Sequence, residues 1–311
     1  QIVSEKLFPT TIYGVNSGGA PLEIPSLTHQ NLKAFHQKFY HPSNAIFFFY
    51  GNISLEKNLA FIREKILQKF NKSSPLALLK KEKRFKKPRK HFANYPVDTK
   101  SKNDYFSGIS WLTCGGNDPI EVLGMAILVS MLTDYDHSPL KLALVNSGLG
   151  VDLIDFSIDS ELNEIPVTLG LKGVKKQNTG KVHRVIMKVL QDIVRKGIDS
   201  ELVKVAFHAI EIQTRERREP YGLIVSFKAL FPFIRGMDPT LHLQPDLIIN
   251  KLLTRIEAGG FFEKLISKWF LNNPHRIEMV MIPDTHYYQN EGKNTYSETE
   301  LTEKVKILEK G

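Results

Sequence analysis

Between Pro119 and Leu132 the chain carries apolar side chains on every turn and no charge after Glu121. A surface helix keeps one polar face, so this pattern predicts a helix covered on nearly all sides. Asn117-Asp118-Pro119 supplies its start, a capping residue followed by proline at the first helical position. A second, amphipathic helix follows Ser138-Pro139 over Leu140–Val145 and stops at Asn146-Ser147-Gly148. The pair is the expected spine of one α+β module. Its Met and Leu content reads as core, not as a ligand or cofactor box.

The rest of the pattern alternates between helical and strand periods. Thr28 caps a predicted helix over His29–Phe39, with Leu32, Phe35 and Phe39 facing in, and His41-Pro42-Ser43-Asn44 ends it. The uncharged run Ala45–Tyr50 predicts a buried strand stopped by Gly51-Asn52. A helix over Ser54–Phe70 follows, with Leu59, Ile62, Ile66 and Phe70 inward. Tyr105–Thr113 predicts a strand before the spine, and Val151–Ile158 and Ile165–Gly173 a pair around the polar turn Asp159–Glu164. Helices are expected over Lys181–Lys196 (closed by Gly197), Ser200–Arg218, Leu223–Ile234, Pro245–Ile256 and Gly260–Phe270, then a closing strand at Ile277–Ile282. Within the polar tail from His286 to Gly311, Ser297–Leu308 looks like the start of an exposed helix. Residues 9 to 28 read as loop, in which Ser17-Gly18-Gly19 either cradles an anion, admits a close backbone, or simply turns.

One pattern occurs twice. Phe35, Lys38, Phe39 and Tyr40 recur as Leu265, Lys268, Trp269 and Phe270, an offset of 230, and each set leads through an Asn/Pro turn to a strand opened by Ile46 or Ile277. A helix, turn and strand repeated at this distance points to two copies of one domain. The second copy reads as complete and the first as its last 70 or so residues. The chain opens at Gln1 without methionine in a turn-rich segment, which reads as a piece of something longer.

Charge and chemistry change this picture little. Residues 80 to 90 hold eight Lys/Arg and one Glu, +7 of the net +9, so the remainder is near neutral. A basic run flanked by Pro75 and Pro88 reads as a solvated linker, or else as an anionic-surface or nucleic-acid patch; one interleaved aromatic, Phe85, is thin for base stacking. No apolar run reaches the roughly 18 to 20 residues that span a bilayer. The single cysteine, Cys114, rules out an internal disulfide framework and fits an intracellular compartment. Its strand-end position offers no paired base, so it reads as a structural thiol. Ten histidines give neither HExxH nor HxxEH; His208 and Glu211 come nearest, but Ile212 stands where a second ligand is required. His36 and His41 are poorly spaced for chelation. Serine-hydrolase, Walker and dinucleotide-binding motifs are absent from the sequence. The residues carry no recognisable catalytic constellation.

A series of short stretches has more individual character: Leu7-Phe8-Pro9, Tyr13-Gly14-Val15, Ser17-Gly18-Gly19, Ile24 to Thr28, Phe39 to Ala45 (FYHPSNA), Tyr50-Gly51-Asn52, Ser138-Pro139-Leu140, Ala143-Leu144, Ser147 to Gly150 (SGLG) and Ile210 to Gln213. Taken in register, this series resembles the presequence-protease branch of the pitrilysin/insulinase (M16) zinc metallopeptidases. The resemblance implies M16 metallopeptidase-like (LuxS/MPP-like) domains of α+β class, each a largely antiparallel sheet with helices packed on it. It implies the end of a first domain at 1–72, a basic linker at 73–100, a complete second domain at 101–285 and the start of a helical hairpin at 286–311. Family members hold one zinc on an HxxEH helix and a later Glu in the first domain, which by register would precede Gln1. No catalytic or metal residue is therefore carried over, and this piece alone is expected to be inactive and to bind no zinc.

For binding, the resemblance points to a second-domain surface at Gly148, Gly150, Val151 and Asp152, and to Ser17, Gly18 and Gly19 near the first-domain cleft. Plain chain turning is the alternative for both sets. The implied function is part of a zinc-dependent endopeptidase that degrades unstructured peptides; a non-catalytic M16-like structural subunit of a peptidase complex is the rival. Unfolded peptides and the remainder of its own polypeptide are the expected partners, with no nucleic acid or membrane. The expected location is intracellular: cytoplasmic in a bacterium, mitochondrial matrix or plastid in a eukaryote.

Overall fold

The structure, a computed structural model, describes residues 2–19, 21–73, 79–99, 104–154, 162–217, 219–287 and 306. In chain order the helices are α1 (Ile2–Leu7), α2 (His29–Phe39), α3 (Leu55–Lys65), α4 (Pro119–Thr133), α5 (Pro139–Asn146), α6 (Thr179–Lys196), α7 (Ser200–Arg215), α8 (Tyr221–Ile234), α9 (Pro245–Glu257) and α10 (Phe261–Ile266). The strands are β1 (Arg89–Pro96), β2 (Tyr105–Gly115), β3 (Asp152–Leu153), β4 (Glu164–Val174) and β5 (Arg276–Asp284). The chain divides into two units: residues 1–17, 80–216 and 244–295 form one, and 18–79, 217–243 and 296–311 the other.

The first unit is built on a five-stranded sheet in the order β1-β5-β2-β4-β3. β1 and β5 run parallel and every other pair antiparallel. Alternation along β2 sends Ser107, Ile109, Trp111 and Thr113 to one face, with Val167, Leu169 and Leu171 of β4 beside them. Helices α4 and α6 pack on that face. Trp111 is fully buried there; its indole N–H donates to the Phe270 carbonyl at 3.0 Å and its ring meets Phe270 edge-on. α6 buries Val182, Ile186, Leu190 and Ile193, the stripe its helical period dictates, and ends at Gly197 with φ 84°.

α4 bears out the apolar pattern. Ile120, Gly124, Met125, Ile127, Leu128, Val129, Met131 and Leu132 are all buried, and the Asp118 carboxylate accepts the Ile120 and Glu121 amides at 3.0 and 3.1 Å. Gly124 is required by contact: a Cβ there would sit 2.6 Å from the Phe261 ring. Covered on nearly all sides, with no side chain fully exposed, α4 needs no polar face.

The opposite face of the sheet is covered only in part. Leu7 and Phe8 pack with Phe85, Leu112, Ile277 and Met279 in one cluster. Residues 2–14, grouped with a first domain on sequence grounds, therefore belong to this core. The supposed linker at 73–100 is corrected too. Residues 89–96 are a strand, and the chain before it is pinned: Glu82 takes hydrogen bonds from Thr10 and Thr11, Arg84 pairs with Glu164 at 2.7 Å, and Phe85 stacks on His275. The basic composition hid the period-2 burial of β1, whose charges sit on the exposed positions.

The second unit contains α2, α3 and α8. Thr28 caps α2 as expected; Ser54, expected inside the next helix, instead caps α3, which stops at Lys65 and is followed by a short 3-10 turn, Leu67–Lys69. α2 has no buried residue, and the expected inward Leu32 and Phe35 are exposed. Ala45–Tyr50 pairs with no described strand and its aromatic side chains are exposed, so the expected buried strand is corrected to an open extended segment. A strand becomes buried by its neighbours; among the described residues no strand pairs with this one, and only Tyr50 meets a ring, that of Tyr221. Of the described part of the expected strand Val151–Ile158, Asp152–Leu153 pairs with β4; residues from 155 to 161 lie outside the described ones, as does nearly all of 297–308.

Candidate functional site

The α5–β3 corner gathers four of the residues singled out in the sequence. Ser147 caps α5, Gly148 turns the chain at φ 61°, and Gly150 passes so close to β4 that a Cβ would lie 2.8 Å from the Lys172 carbonyl. Val151 then donates its amide to that carbonyl at 2.9 Å, and Asp152 pairs with Lys172 in register and by a 3.4 Å ion pair. The Leu153 amide, donating to the Asp152 carboxylate at 2.8 Å, and then Lys172 hold this carboxyl below its usual value. The result is a two-residue strand on the margin of the sheet, with Val151 well exposed. Of Ser17, Gly18 and Gly19, Ser17 ends a segment of the first unit and Gly18 begins the second. Gly19, at φ 77° with open space around it, behaves as a turn glycine.

Beside this corner, the open face of the sheet forms the floor of a cavity of about 570 Å³. Ile2 and Val3 of α1 stand on one side, Ile154 on another, and Met279 and Met281 of β5 on the floor. Gly108 and Gly170 face each other across β2 and β4, and the Ser110 and Thr168 hydroxyls bond one another at 2.9 Å. The lining therefore mixes apolar side chains with Glu5 and with hydroxyls that bond one another. Sequence reading missed it because it depends on which face of β2 the helices leave uncovered; Gly108 and Ser110 at alternate positions of a strand are the only advance signal.

A second group has the outline of a hydrolase triad. Ser107 Oγ lies 3.0 Å from His183 Nε2, and His183 Nδ1 lies 3.5 Å from Glu278 Oε2. Its chemistry is closed. Ser107 is 1% exposed and its hydroxyl proton is committed to the Thr179 carbonyl at 2.9 Å. Burial, acting against the Glu278 carboxylate, pushes the His183 imidazole below its ordinary value. The group fastens the start of α6 to the sheet.

A zinc site, implied by the resemblance, is not served by these residues. No group of three or more His, Cys, Asp or Glu among the described residues is arranged to hold a metal. His208 and Glu211 do meet, at 3.0 Å, but Arg215 occupies the other carboxylate oxygen at 2.8 Å, so a cation already neutralises it. Cys114 is buried, which pushes its thiol up to about 12, far from a nucleophile's range.

Comparison with known proteins fits this architecture. Residues 26–209 match the model of the peptidase M16 inactive domain. The chain belongs to the M16 peptidase family. Among curated M16 relatives, the mitochondrial presequence protease of Xenopus laevis is 32% identical over 316 residues, covering 99% of this chain and 30% of that protein. Presequence protease 1 of Arabidopsis thaliana, chloroplastic/mitochondrial, is 33% identical over 319 residues, covering 98% and 29%. The presequence-protease resemblance read from the motifs is thus borne out, and the chain spans about 30% of the length of these relatives. A crystal structure of the peptidase M16 inactive domain from Pseudomonas fluorescens shares the fold at TM-score 0.63 and 14% identity, covering 91% of this chain and 64% of that one. No helix among the described residues is long and apolar enough to cross a membrane.

Proposed function

We propose that this chain is a non-catalytic part of a zinc-dependent M16 endopeptidase that degrades unstructured peptides, and that it binds substrate by strand addition at β3. The observation that carries the binding role is the α5–β3 corner. A marginal strand offers backbone groups to any extended chain, and backbone hydrogen bonds give affinity without strict sequence demands. Gly148 and Gly150 leave little side-chain bulk at its entrance. The zinc, the water it would activate and the attendant base belong in this reading to other parts of a longer polypeptide, which is also the partner of the second unit. Like the named relatives, such an enzyme would work in a mitochondrion or plastid, or in the cytoplasm of a bacterium.

Hydrogen exchange of the chain with and without an unfolded peptide tests the binding role: amides of residues 149–154 slow if peptide adds there, and unchanged exchange sinks the reading. Zinc content and peptide hydrolysis of this chain, beside a version extended upstream, test the division of labour. Metal and activity in the extended version only are expected.

The match to an inactive domain favours a second reading, a stand-alone structural subunit of a peptidase complex. The mass of the natural protein separates the two, since a subunit would stay near 35.5 kDa.

A further inference from the structure

The margin of the sheet opposite β3 is β1, and it combines a backbone edge that no described strand covers with most of the chain's excess charge. β1 is the last strand in the sheet order, paired on one side with β5 and on the other with no described strand. The Val97 amide donates to the Asp284 carbonyl at 3.3 Å, which sets the phase of the parallel ladder: odd-numbered residues turn their amides and carbonyls to β5. Lys90, Phe92 and Asn94 therefore turn theirs outward. Their side chains lie on the same face as Glu278 and Val280, where Phe92 is 62% exposed.

The charge at this edge is held in place. Of the nine ionisable side chains in residues 80–90, Glu82 is buried and Arg84 is partly buried against Glu164, while seven Lys and Arg face solvent. With Glu82, Arg84 and Phe85 as anchors, the intervening lysines stand on a fixed backbone and lead straight into β1. Arg89 is laid over the Phe85 ring at 3.7 Å and Lys90 is 3.6 Å from Glu278, so Lys86 and Lys87 are the less engaged cations next to the edge.

Lysine and proline at a sheet margin keep like edges apart, because a second basic strand is repelled and Pro96 offers no N–H. The same charges favour an acidic strand, since opposite charges across a ladder attract and like charges repel. We propose that the outer edge of β1 is a docking site for an acidic, extended peptide segment, which adds as a sixth strand. The segment bonds the outward amides and carbonyls of Lys90, Phe92 and Asn94, sets an apolar side chain against Phe92, and places carboxylates near Lys86 and Lys87. This surface is separate from the β3 corner and does not depend on the peptidase reading.

The test is fluorescence anisotropy of the whole chain at low salt, with labelled ten-residue peptides (alternating Glu/Val, alternating Thr/Val, alternating Lys/Val, and two Glu/Val peptides N-methylated at every second amide, one in each of the two alternate frames) and a single-stranded oligonucleotide. The Glu/Val peptide should bind at least about tenfold more tightly than the Thr/Val one, and the Lys/Val peptide should not bind. N-methylation in the pairing frame should weaken binding about tenfold, because the ladder is lost while the charge is kept. Lys86→Glu with Lys87→Glu should weaken it similarly; both side chains are exposed, so the fold is expected to survive. Equal binding of both N-methylated frames, or tighter binding of the oligonucleotide, would reduce the site to a plain anionic-surface patch and overturn the proposal. Absence of binding by the Glu/Val peptide would overturn it outright.

Discussion

The two copies of the helix–turn–strand pattern end in opposite states. In the first unit Leu265 and Phe270 are buried and β5 runs inside the sheet, between parallel β1 and antiparallel β2. Their counterparts in the second unit, Phe35 and Tyr40, are 54% and 67% exposed, and Ile46 to Tyr50 make no ladder among the described residues. The uncharged, aromatic run at 46–50 has at least as strong an intrinsic strand preference as β5. The difference lies outside both segments. A strand is stabilised by partners on its two edges and a layer on its face, and among the described residues only the first unit supplies them.

The largest expected effect sharpens that contrast. Phe270→Ala should destabilise the first unit by ~3–5 kcal/mol, because the cavity under Trp111 cannot collapse, whereas Tyr40→Ala should change stability by no more than ~0.5 kcal/mol. Denaturant unfolding of both variants measures this; equal losses would break the comparison.

Acid should also act on the first unit. His275 is a neutral bridge: it accepts the Phe85 amide at Nδ1 and bonds the Leu7 carbonyl through Nε2 at 2.8 Å. Burial first, and then the nearby Arg84 and Arg89, push its imidazole down to about 4. A lowered imidazole value means the unfolded chain binds the proton first. Stability is therefore complete above about pH 6.5, falls as pH drops towards 4, and levels below that. The loss should be on the order of 3 kcal/mol, read as denaturation midpoints against pH, and His275→Gln should flatten this part of the profile. A second-unit probe such as Tyr50 fluorescence should not report that transition. Glu82 acts at lower pH: burial raises its carboxyl value, but hydrogen bonds from Thr10 and Thr11 outweigh this and hold it below normal. Its contribution is lost only as pH falls through that lowered value.

Ser107→Ala should cost ~1 kcal/mol, the worth of hydrogen bonds to Thr179 and His183, and the parent chain should not react with a fluorophosphonate probe. Labelling at Ser107 would show that the triad-like group opens. The smallest free energies belong to hydrogen exchange. Amides of residues 46–50 should exchange at close to unprotected rates, and those of 277–281 only on unfolding of the sheet.

Much of this architecture was legible in local pattern. The all-round apolar run of α4, the stripe of α6 with Gly197 behind it, and the caps at Thr28 and Asp118 are short-range properties of the backbone and nearby side chains, and they appear where the pattern placed them. The YHPSNA and SGLG motifs were distinctive enough to point to the family. The candidate site was legible only as the glycine-marked turn before β3.

What the tertiary structure alone decided depends on partners distant in sequence. β1 looked like linker because its own residues are basic, and it became a strand by pairing with β5, some 188 residues away. Residues 2–14 joined the first unit because Leu7 and Phe8 found Leu112, Ile277 and Met279. The open sheet face, the closed Ser107–His183–Glu278 group and the exposure of 46–50 follow from the same rule. Local sequence sets which backbone states are cheap, and long-range contacts decide which side chains leave water.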